Sequence, residues 1–63
     1  MPPKEQQVHR EMFVKGYTMY AEYDIDSKVV KRIEYWIKFG HTIIVEYLFN
    51  GDVCYYKNVD SVI

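Results

Sequence analysis

The chain has 63 residues, 17% of them aromatic, with eight basic and nine acidic side chains and a formal net charge of −1. That length allows one domain, in which folding hides only about 60% of the surface the unfolded chain exposes. The near-neutral charge excludes a surface built throughout for a polyanion, and the lone cysteine, Cys54, excludes an intrachain disulfide.

Small domains offset a thin core with disulfides, metals or self-association. His9, His41, Cys54 and the scattered carboxylates show no C-x-x-C or H-x-x-x-H spacing, so no metal or other cofactor is expected. A homo-oligomer is therefore the default expectation. No apolar run approaches the roughly 20 residues that cross a bilayer, and the opening M-P-P-K-E-Q-Q lacks the apolar stretch of a signal peptide. A cytoplasmic protein without a membrane partner is expected, and a single thiol fits a reducing compartment.

Residues 1–10 carry two prolines among polar side chains, with too little apolar area to offset the entropy of ordering. They read as a flexible tail ahead of a single small domain over 11–63. From Glu11 to Ile25, Phe13, Tyr17, Met19, Ala21, Tyr23 and Ile25 fall on one parity, which predicts a half-buried strand. Gly16 marks a bulge within it, or Lys15-Gly16 forms a tight turn that splits it.

Asp24-Ile25-Asp26-Ser27 supplies side-chain acceptors for the first turn of a helix. Over 28–39, Val29, Val30, Ile33, Trp36 and Ile37 recur at helical spacing, and Gly40 sits where a left-handed cap belongs. An amphipathic helix is predicted there. The alternative is a strand, because valine, isoleucine and aromatic residues form strands and Gly40-His41 can close a hairpin onto Thr42. A strand sets Trp36 on one face with Arg32, Glu34 and Lys38, a poorer hydrophobic pattern.

The run from Thr42 to Lys57 holds two stretches rich in β-branched and aromatic residues around Asn50-Gly51, the signature of a hairpin with a two-residue type I′ turn. Such a turn pairs Phe49 with Asp52 and Tyr47 with Cys54. Ile43, Val45, Tyr47, Phe49, Cys54 and Tyr56 then share an apolar face suited to a helix. The other face carries Ile44, Leu48, Val53 and Tyr55, more apolar surface than water requires, and these four form the candidate dimer or partner interface. Residues 58–63 suit a short edge strand or a packed extension.

The expected fold is α+β: a three- to four-stranded antiparallel sheet with one amphipathic helix on one face, or, if 28–39 is a strand, an all-β meander or small barrel. Residues 27–41 hold four basic side chains against one acidic. On a helix, Lys28, Lys31, Arg32, Tyr35 and Lys38 form a candidate electrostatic contact face for phosphates or an acidic protein, with Glu34 as local counter-ion. No catalytic residue is assigned. Cys54 reads as a buried, inert thiol, and Asp24, Asp26, Ser27 and Ser61 as cap and turn residues. The expected function is non-enzymatic: a small interaction or regulatory protein that binds another macromolecule as a homodimer, with weak nucleic-acid binding through the basic face as the alternative.

Overall fold

A computed structural model describes residues 3–57. One helix precedes four strands: α1 (Lys4–Val14), β1 (Thr18–Asp24), β2 (Val30–Lys38), β3 (His41–Leu48) and β4 (Val53–Lys57). The strands form one antiparallel sheet in the order β1-β2-β3-β4, each pairing with its neighbours in sequence. The α+β architecture is as expected from the sequence, but the helix is a different segment. The expectation for 58–63 lies outside the described residues.

The segment read as a tail is helix from residue 4 onward, and the strand expected from Glu11 begins only at Thr18. Two local causes account for this. Lys4 to Val14 is dominated by glutamate, glutamine, arginine, lysine and methionine, which lose little side-chain freedom in a helix. Gly16, at φ 89°, then takes the left-handed position just beyond the last turn. The Gly16 N–H donates to the Phe13 carbonyl and the Tyr17 N–H to the Met12 carbonyl, at 3.0 and 2.9 Å, the paired bonds of a Schellman stop. Gly16 is thus a helix terminator rather than a strand bulge. The β1 bulge lies instead at Tyr20, between Met19 and Ala21.

The segment 28–39, expected to be helical, holds strand β2, paired on both sides, between two turns. Its β-branched and aromatic residues prevail over the helical periodicity. Ser27, read as a cap, does accept from the Val29 and Val30 amides, but it caps the turn leading into this strand. The β2–β3 connection has two residues, Phe39 and Gly40, both at positive φ (32° and 78°), as a type I′ turn requires.

At Asn50-Gly51 the hairpin exists, but its loop has three residues. The Leu48 N–H donates to the Asp52 carbonyl and the Gly51 N–H to the Leu48 carbonyl, and only Gly51 of the loop has positive φ. This is the pattern of a turn followed by a glycine bulge. Asn50 is held in it by its own side chain, whose Oδ1 accepts from the Asp52 N–H at 2.9 Å. The third loop residue moves the register by one, so Tyr47 pairs with Val53, Glu46 with Cys54 and Ile44 with Tyr56. A one-residue shift exchanges the two faces of β4.

The core lies between α1 and one face of the sheet. Val8 and Met12, four residues apart on the helix, pack with Trp36, Ile43, Val45 and Tyr47, and Tyr17, Met19 and Val53 close the margins. Phe13 meets Trp36 edge-on at a ring separation of 5.6 Å, and His9 does so at 5.3 Å.

Candidate functional site

The two faces of the sheet differ in kind. On the helix side, alternation along β2 places Arg32, Glu34 and Trp36 together, the pattern that made a strand look unfavourable in the sequence. Glu34 is 0% exposed. Its Oε1 accepts from Trp36 Nε1 at 3.0 Å and Tyr47 Oη at 2.8 Å, and its Oε2 accepts from Arg32 Nε at 2.9 Å and lies 2.7 Å from His9 Nε2. Arg32 also reaches Glu22 on β1. Three elements, α1, β2 and β3, thereby meet on one carboxylate, and Arg32 links β1 to it.

Burial by itself pushes the Glu34 carboxyl upward, but the hydrogen bonds from His9, Tyr47 and Trp36 outweigh it and hold the group below the usual carboxylate range. Burial, then the adjacent carboxylate, push the Tyr47 phenol far above its usual range. With both oxygens engaged by two donors each, Glu34 presents no lone pair to a ligand. It works as a polar anchor inside the core.

The sequence reading missed this residue by treating Glu34 as an exposed counter-ion. The available signal was the alternation R-I-E-Y-W, with arginine and tryptophan two residues either side of the glutamate. The partners His9 and Tyr47 lie 25 and 13 residues away, and no local pattern joins them.

The opposite face carries Tyr23 on β1, Ile33, Tyr35 and Ile37 on β2, Ile44, Glu46 and Leu48 on β3, and Cys54 and Tyr56 on β4. No helix or strand among the described residues lies over it. Tyr23 and Tyr35 pack edge-on at 5.9 Å, and Tyr56 Oη donates to Glu46 Oε1 at 3.0 Å, which raises the phenol's pKa. Glu46 is the one carboxylate set on this face by the pairing, and it is hydrogen-bonded there.

Of the four residues predicted as an interface, the structure brings Ile44 and Leu48 together on this open face. Val53 and Tyr55 are on the helix side, opposite Tyr47 and Val45. Their places are taken by Cys54 and Tyr56, and the cause is the three-residue loop. Cys54 is accordingly half-buried on the open face rather than sealed in the core.

The predicted basic face does not assemble. Lys28 lies in the exposed turn before β2, Lys31 is 3.8 Å from Glu5 of α1, and Arg32 is held by Glu34 and Glu22. Tyr35 points to the open face, while Lys38 donates to the Lys15 carbonyl and covers the Tyr17 ring. A strand alternates sides every residue, so helical spacing does not survive. Among the described residues, no three histidine, cysteine, aspartate or glutamate side chains converge as metal ligands.

Fold and surfaces together define a small antiparallel α+β protein with a helix on one side of its sheet and an apolar, aromatic-rich face on the other. Comparisons with protein-family models, with curated proteins and with solved structures return no match for this chain.

Proposed function

We propose that the protein is a non-enzymatic interaction module of the cytoplasm that works as a homodimer, joined through the open face of its sheet. The supporting observation is the character of that face. Tyr23, Tyr35 and Tyr56 lie among Ile33, Ile37, Ile44 and Leu48, and the single carboxylate is already hydrogen-bonded. Tyrosine interleaved with aliphatic side chains is the composition of a protein interface, and the near absence of charge asks for an equally neutral partner surface. A second copy supplies one, and two such sheets pack face to face at about 10 Å.

Four strands about 4.8 Å apart and roughly seven residues long, at about 3.3 Å per residue, present about 350–450 Å² in projection. A standard interface takes about 800 Å² from each partner. The expected dimer is therefore concentration-dependent, forming at micromolar rather than nanomolar levels.

Sedimentation velocity across a concentration series tests this. The unmodified chain is expected to pass from monomer to dimer, and Ile44→Lys to remain a monomer with an unchanged circular dichroism spectrum. Tyr55→Asp, on the helix side of the sheet, is expected to leave the dimer intact. A folded monomer at the highest concentrations, or a dimer lost with Tyr55 and kept with Ile44, refutes the proposal.

A further inference from the structure

Antiparallel pairing gathers the end of α1, the β2–β3 turn and the last residue of β4 at one end of the molecule. Phe39, at the tip of that turn, is 99% exposed, and Val14 and Phe13 at the helix end are 82% and 65% exposed. Phe39 and Gly16, two residues beyond Val14, border the same shallow depression, and Lys38 ties the turn to the Lys15 carbonyl at the helix end.

Cations accompany them. Lys15, Lys38 and Lys57 all lie at this end, and the described carboxylate that faces them is Glu11, 3.2 Å from Lys15. Asp24, Asp26 and Asp52 lie at the opposite end of the strands. The Phe39 end thus carries three lysines against one described carboxylate, whereas at the other end Lys4, Lys28 and Lys31 stand beside Glu5 and those three aspartates, and the apolar tips there, Val29 and Phe49, have no such excess of cations.

Phe39 is also unfavourable where it stands. Its φ of 32° is uncommon for a bulky residue, and the first position of such a turn is best filled by asparagine or glycine. Neither burial nor backbone preference accounts for a phenylalanine there. Residues held against local preference are a mark of function.

From this juxtaposition we infer that the Phe39 end is a docking surface for an anionic lipid bilayer, on which the protein sits without spanning. The lysines meet acidic headgroups, and Phe39 and Val14 enter the boundary of the acyl chains. A planar negative surface is favoured over nucleic acid because an aliphatic Val14 offers no stacking plane for a base. The surface meets the open sheet face at Ile37, and Ile44→Lys distinguishes the two, since it is expected to remove the dimer and leave vesicle binding in place.

The experiment is co-sedimentation of the full 63-residue chain with phosphatidylcholine vesicles, with and without phosphatidylserine, beside a single-stranded RNA arm. Binding is expected only with phosphatidylserine, and it weakens between about 0.1 M and 1 M salt as the screening length shrinks. Phe39→Asn is expected to lower vesicle partitioning by about tenfold, the effect of one part-inserted aromatic ring, while keeping or raising the melting temperature. Lys57→Gln is expected to lower it by about fivefold. No binding to phosphatidylserine vesicles, equal binding to neutral vesicles, unchanged binding by Phe39→Asn, or Phe39-dependent binding to RNA alone overturns the inference.

Discussion

At the scale of single residues, Glu34 governs the interior. A buried carboxylate costs several kcal/mol in lost hydration, and it is tolerated only when its acceptor positions are filled. Here four donors from His9, Arg32, Trp36 and Tyr47 fill them, and no buried side-chain polar atom among the described residues lacks a partner. Glu34→Gln keeps the volume but turns an amide NH₂ toward donors and removes the charge opposite Arg32. The expected loss is about 3 kcal/mol, against a total stability of about 3–9 kcal/mol for a chain of this size. Tyr47→Phe removes a single hydrogen bond and is expected to cost about 1 kcal/mol. Urea unfolding of both variants measures the difference, and equal losses would show that Glu34 is not the hub.

At the scale of elements, turns and stops decide which segment becomes what. Gly16 ends α1 at a positive φ, and a Cβ there meets Lys38 Cε at 3.4 Å, the lysine that ties this corner to β2. Gly16→Ala is expected to destabilise by about 1 kcal/mol or more, chiefly through backbone strain. Thermal melting checks it, and an unchanged midpoint would dismiss the Schellman stop as decoration. The two hairpins exchange the roles their sequences suggest. Phe39-Gly40 makes the two-residue turn with both φ positive, although Asn50-Gly51 is the better sequence for one. Deleting Phe49 leaves a two-residue Asn50-Gly51 loop that keeps Leu48 opposite Asp52. The fold is expected to survive this deletion, with contacts between Tyr47 and Val53 still visible by NMR.

At the scale of the whole molecule, the network sets a stability window in pH. Glu34 titrates below its ordinary value of 4.5, so its contribution is complete above about that pH and is lost as pH falls through the depressed value. Tyr47 titrates above its ordinary value of 10, so its contribution is complete below that pH and declines as pH rises further. Urea midpoints measured against pH are expected to form a plateau with an acid limb and an alkaline limb. Glu34→Gln is expected to flatten the acid limb, and a limb of undiminished slope in that variant would assign it to other carboxylates.

The sequence by itself determined the antiparallel α+β class, the presence of a hairpin around Asn50-Gly51 and an apolar second sheet face, because β-branched alternation and turn residues act over a few neighbours. Ile44 and Leu48 were legible as members of that face for the same reason. The sequence reading placed the helix at 28–39, where periodicity and composition disagree, and composition prevailed once neighbouring strands could satisfy the backbone. It placed Val53 and Tyr55 on the wrong side, because one extra loop residue reverses a strand and nothing local counts it. Only the tertiary structure decided that Glu34 is an interior anchor, since its partners come from α1, β2 and β3. It alone gathered the lysines around Phe39 at one end, by folding five elements so that their termini coincide.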